Sequence, residues 1–143
     1  MTRLSSLYQI AEDNRIEVDC FDLGKREALS LMDEEGLCYI AIDPFQLTST
    51  RDETLKLAHE LGHCVTGSFY NVHATVDCRQ KHENTADKWA VNQLIPAEML
   101  DEAVAEGYTE IWELAEHFDV SEEFMRKAVC LHVHGNVAVE LYF

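Results

Sequence analysis

No apolar stretch in this 143-residue chain approaches membrane-spanning length, and the amino terminus, with Arg3, Glu12 and Asp13 around short apolar runs, lacks a signal-peptide core. Membrane insertion and export are therefore not expected. Cys-x-x-Cys pairs are also missing. The five cysteines, Cys20, Cys38, Cys64, Cys78 and Cys130, are odd in number and scattered, which argues against a disulfide framework. Both absences point to the cytoplasm. Basic residues are scarce, 11 against 27 acidic, and a net charge of -16 repels phosphate backbones, so no direct nucleic-acid binding is expected. Such a surface suits a basic partner, and it equally serves to keep a small protein soluble. Repeats and low-complexity tracts are absent. With 47% hydrophobic content the chain suffices for one core and is short for two, so residues 1–143 are expected to form a single domain.

What is present is the run His59-Glu60-Leu61-Gly62-His63. If Thr50 to Val65 is a helix, four residues turn the chain by ~400°, so His59 and His63 share one face, a single turn apart. Glu60 then lies on a neighbouring flank, where a general base can touch a metal-bound water without binding the metal. The segment from Thr50 supports the helix: a capping hydroxyl at Thr50, Glu53 three residues on, and Leu57 and Leu61 one turn apart. Gly62 costs such a helix about 1 kcal/mol against Ala, but it admits a close backbone neighbour.

A second constellation, His82 to Ala90, reads as a helix that ends before Pro96. A catalytic zinc commonly takes three protein ligands, and Glu83 fits the third place. Asp87, four residues on, shares its face and would accept the free ring N–H of one histidine. Small Ala86 and Ala90 would let this helix approach Gly62.

These residues resemble the ImmA/IrrE metallopeptidases, whose members join a His-Glu-Leu-Gly-His helix to a Glu-x-x-Ala-Asp/Asn-x-aromatic-Ala helix ending in Pro. Here those stretches are His59 to His63 and Glu83 to Pro96, with the strand-like Tyr39 to Pro44 leading in. The match runs over roughly residues 28 to 97, with Trp89 where Phe is usual and Asn92-Gln93-Leu94-Ile95-Pro96 where the tail is usually more apolar. The resemblance implies an α+β, zincin-like fold: a small N-terminal sheet packed on the helix bearing the motif, followed by a mostly helical part from about residue 97. It further implies a zinc (Zn2+) hydrolase in which His59, His63 and Glu83 bind the metal and Glu60 is catalytic. The implied substrate is a helix-turn-helix transcriptional repressor of a prophage or mobile element. A second reading is a zinc-stapled antirepressor that binds its target without proteolysis; it needs a fourth protein ligand, for which His73 or His82 is available. A third, a toxin partner acting on another intracellular target, follows only from the genomic habits of such families.

Elsewhere, Leu4 to Asn14 looks helical, Ile16 to Phe21 alternates like a half-buried strand, and Ala28 to Asp43 resembles two strands around Glu34-Glu35-Gly36. The Leu37 to Ile42 strand is the candidate substrate-holding edge, with an interior position equally open. After Pro96, helices are expected over Ala97 to Glu106, Thr109 to His117 and from Ser121 onward. The last two have the rhythm of a helix-turn-helix, but Glu110, Glu113, Glu116, Asp119, Glu122 and Glu123 outnumber Arg126 and Lys127, so an ordinary packing unit or a substrate-docking face is expected. Gly135-Asn136 suggests a turn into a final strand, with His132 and His134 on one strand face. Cys64 points about 100° from His63 and is expected in the core. Tyr70, His73 and His82, between the two ligand helices, are candidates for secondary roles.

Overall fold

A computed structural model describes residues 2–71 and 73–143. Helix α1 (Arg3–Asp13) starts where the Thr2 hydroxyl accepts the Ser5 N–H, and buries Leu7 and Ala11. Three strands follow, β1 (Glu17–Cys20), β2 (Ala28–Met32) and β3 (Cys38–Ile42). Their order across the sheet is β1-β3-β2, with β1 parallel and β2 antiparallel to β3. The β2–β3 hairpin turns at Asp33 to Leu37, where Asp33 Oδ1 accepts the Glu35 and Leu37 N–H groups. Gly36 there takes a φ of 86°, a left-handed conformation that costs glycine little. Along β3, Cys38, Ile40 and Ile42 face the core while Tyr39 and Ala41 face outward. This central strand cannot be the substrate-holding edge that its sequence suggested. Hydrophobic alternation marks a strand with one buried face, whereas strand order is set by how β1 crosses over to pair with β3.

Helix α2 (Thr50–Thr66) carries the histidine motif. Its cap is Ser49, one residue before the expected Thr50, with Ser49 Oγ accepting the Asp52 N–H at 3.1 Å. Leu57, Ala58 and Leu61 are fully buried on this helix. Gly67 ends it with a φ of 69°. Helix α3 (Val76–Leu94) begins six residues before the His82 expected from sequence, capped by Thr75, and stops at Ile95 and Pro96. A β-carbon added at Gly62 would lie 2.5 Å from the Ala86 carbonyl oxygen and 2.9 Å from its Cα. The expected close approach of the two helices at Gly62 and Ala86 is therefore present, backbone against backbone.

Helices α4 (Ala97–Ala105), α5 (Ile111–Phe118) and α6 (Glu122–His134) complete an α+β chain that is mostly helical after the sheet. Leu114, Ala115 and Phe118 of α5 meet Phe124, Met125 and Ala128 of α6 in the same apolar cluster that holds Ile40, Leu57 and Val91. The expected final strand is not formed. α6 runs through His132 and His134 to Gly135, and a short 3-10 turn, Val139–Leu141, follows. The Ser121 cap and the buried Phe124, Met125 and Ala128 propagate one helical face, and Gly135, at a φ of 79°, ends the helix instead of opening a hairpin. His132 Nε2 lies 2.7 Å from the Ile95 carbonyl, and the His134 ring stacks on Tyr142 at 3.7 Å. No helix among the described residues is long and apolar enough to cross a membrane.

Candidate metal centre

One turn of α2 sets the His59 and His63 rings edge to face with centroids 4.8 Å apart. Ligand-capable atoms of His59, Glu60 and His63 all lie within 4.8 Å of one another. The close crossing at Gly62 then lets α3 deliver a carboxylate. Glu83 Oε2 lies 2.7 Å from His59 Nε2, and Glu83 Oε1 lies 3.3 Å from His63 Nε2. One carboxylate thus spans the two imidazoles.

The remaining ring nitrogens are held as well. His59 Nδ1 lies 2.9 Å from Asp87 Oδ1, and His63 Nδ1 donates to the Ser68 carbonyl just past the end of α2. Each Nδ1 has an oxygen acceptor, which orients the ring and directs Nε2 toward Glu83. Asp87 is buried, and its second oxygen accepts a hydrogen bond from Lys127 Nζ on α6 at 3.1 Å. Glu60, also buried, accepts from the Ser30 hydroxyl of β2 at 3.0 Å. Tyr70 donates its hydroxyl to Glu83 Oε1 at 2.9 Å.

Charges in this cluster support one another. Burial disfavours a charged His59, but hydrogen bonds to Asp87 and Glu83 outweigh it and push the pKa up to about 10. For His63 burial again acts downward, and Glu83 with the Ser68 carbonyl carries the pKa above its ordinary value. Hydrogen bonds from His59 first, then His63, hold Glu83 well below the usual carboxylate range. Burial raises the Asp87 pKa, yet His59 and Lys127 bring it below normal. The hydrogen bond to Glu83 raises the Tyr70 phenol.

A cleft of about 600 Å³ opens beside this cluster, lined by Leu29, Ser30 and Leu31 of β2 and by Phe69 and Tyr70 across from them, with Glu60, His63 and Glu83 in its wall. β2 has β3 on one side only, so its other edge is free among the described residues.

All five residues singled out from sequence, His59, Glu60, His63, Glu83 and Asp87, come together here. Sequence reasoning missed Ser30, the Ser68 carbonyl and Lys127. Ser30 and Lys127 lie 30 and 40 positions from their partners, and no local spacing signals such a contact. Of the secondary candidates only Tyr70 reaches Glu83; His82 lies beside the Tyr70 ring, centroids 6.1 Å apart, and the His73 backbone N–H bonds to Asn71. Cys64 packs half-buried against the core, where burial pushes its thiol pKa up, so the metal cluster does not include it.

The Peptidase_M78 family model, described as an IrrE N-terminal-like domain, matches residues 39–129, and the chain belongs to this family. The match begins at β3 and ends within α6, so it starts later and reaches further than the resemblance read from the motifs. No curated protein sequence matches the chain significantly. Family membership and the His59–Glu60–His63 cluster together support a metallopeptidase-type function with a bound metal ion.

Proposed function

We propose that this chain is a zinc-dependent peptidase in which His59 and His63, through Nε2, and Glu83, through its carboxylate, hold the metal. Glu60 is the catalytic base and Asp87 orients His59. The observation that carries this reading is the convergence of both Nε2 atoms on one Glu83 carboxylate, with Glu60 offering an oxygen within 4.8 Å of ligand-capable atoms of both histidines. Two imidazoles and a carboxylate are donors that zinc favours, and three protein ligands are the usual set of a catalytic site. Both Glu83 oxygens face Nε2 atoms while Glu60 Oε1 is held by Ser30, which supports Glu83 as the ligand and Glu60 as the base.

Bound there, zinc supplies Lewis acidity, polarising a scissile carbonyl and making water more acidic. Glu60 takes the proton from the attacking water and passes it to the leaving amine. Ser30 fixes the Glu60 carboxylate against β2. The free edge of β2 borders the cleft, so an extended substrate segment pairs with β2 through backbone hydrogen bonds, the role first sought in β3.

The substrate in this reading is an intracellular protein, a helix-turn-helix transcriptional repressor of a prophage or mobile element, cleaved in the cytoplasm. The family resemblance supports that choice, and the net charge of -16 suits a basic partner better than a nucleic acid. The test is co-incubation of the purified chain with a repressor encoded beside it, with and without chelator. Glu60→Gln should keep zinc and lose cleavage by about 10²- to 10⁴-fold; retained cleavage would remove Glu60 from its role. His59→Ala should lose both zinc and cleavage. Zinc-dependent binding of an intact repressor would instead favour the stapled antirepressor.

A further inference from the structure

We infer that Lys127 is a positioning residue of the metal centre, acting through Asp87 on His59, so that the C-terminal helix pair completes the site. This rests on the assignment of His59, His63 and Glu83 as ligands. The chain of contacts is short and directional: Lys127 Nζ to Asp87 Oδ2 at 3.1 Å, Asp87 Oδ1 to His59 Nδ1 at 2.9 Å, and His59 Nε2 to Glu83 at 2.7 Å.

Three physical points give Lys127 this role. First, Asp87 is buried, and a buried carboxylate holds its place and its charge only when its oxygens are satisfied; His59 satisfies one and Lys127 the other. Second, the centre carries more negative than positive charge. Glu60, Glu83 and Asp87 exceed a divalent ion by one negative charge, and Lys127 cancels it in a protein with 27 acidic and 11 basic residues. Third, the contact is anchored. α6 is also tied to the residue just past α3, where His132 bonds the Ile95 carbonyl, so the Lys127 side chain needs to search little to find Asp87. The other carboxylate near Lys127, Glu123, lies 4.0 Å away with its side chain 81% exposed and competes weakly. The α5–α6 unit, whose sequence suggested a helix-turn-helix, thereby supplies a cation to the metal site in place of a recognition helix.

The test measures zinc affinity of the full chain by competition with a chelating indicator, with folding followed separately by thermal unfolding in chelator. Lys127→Met should weaken zinc binding by about 10-fold, at the lower end of what removing a partner of a metal-ligating side chain costs. Lys127→Arg should restore most of the affinity. In an Asp87→Asn background, Lys127→Met should weaken binding little further, because the route through Asp87 is already cut. Unchanged zinc affinity in Lys127→Met, or a full additive loss in the double variant, would overturn the inference. Should Lys127→Met not fold, Lys127→Gln, which removes the charge and keeps a polar end, carries the same test with the same outcomes, alone and in the Asp87→Asn background. Zinc binding that survives His59→Ala and His63→Ala would fault the ligand assignment itself, an outcome distinct from a silent Lys127.

Discussion

Two helix pairs in this molecule solve opposite problems. In α5–α6 the shared face is apolar, Leu114, Ala115 and Phe118 against Phe124, Met125 and Ala128, and its buried side chains need no hydrogen bonds. In α2–α3 the contact is made by Gly62 and Ala86, and what is buried around it includes Glu60, His63 and Asp87. The first pair is held by area removed from water, a non-directional force. The second also buries Leu57, Leu61, Ala90 and Val91, and adds to that close approach and directional bonds among charged groups, which are costly to bury unless every partner is present. The chemistry is thus added to a shared apolar core at the α2–α3 crossing, and Lys127 is the α6 side chain that reaches it.

The two pairs can be damaged separately. Leu114→Ala, at a site 3% exposed, should cost about 2–5 kcal/mol of stability, read by denaturant unfolding. Zinc affinity of the folded fraction should stay unchanged; a parallel fall would mean that the pairs are not energetically separate. Gly62→Ala should instead lower both stability and zinc affinity. Although Ala favours a helix by about 1 kcal/mol, its β-carbon meets immovable backbone of Ala86, and α3 must shift with Glu83 on it. The expected cost is about 1–3 kcal/mol, accompanied by a clear loss of zinc affinity in the same competition assay. A stabilised Gly62→Ala variant with intact zinc binding would show that the helices are not in backbone contact. The smallest effect is expected for Tyr70→Phe, which removes one partly exposed hydrogen bond to Glu83 Oε1. Loss of about 1 kcal/mol corresponds to a roughly fivefold weaker zinc affinity, with thermal stability in chelator nearly unaltered.

Much of the site was legible because it is built from helices. Four residues bring a side chain back to the same face whatever surrounds it, so His59 with His63 and Glu83 with Asp87 were pairs on paper before they were pairs in space. The juxtaposition of Gly62 with Ala86 was legible for a related reason: a glycine tolerated inside a helix marks a place where something comes close. The sheet was read less well. Two strands and their hairpin followed from alternation and from Gly36, but the central place of β3 and the free edge of β2 did not, since strand order depends on a crossover between segments distant in sequence. The C-terminal segment was misread because a short His-x-His stretch alternates like a strand, while the helix begun at Ser121 had not yet reached a residue that stops it.

Helical periodicity and composition were enough to define the two helices that carry the candidate ligands and the residues they offer, both of which follow from local geometry. Tertiary structure alone decided which carboxylate faces both imidazoles, that Ser30 holds Glu60, and that a lysine 40 positions from Asp87 neutralises it. The reason is physical: helical periodicity is a property of a few consecutive residues, whereas the partners of a buried charge are set by how whole elements pack, and packing is decided by the core as a unit.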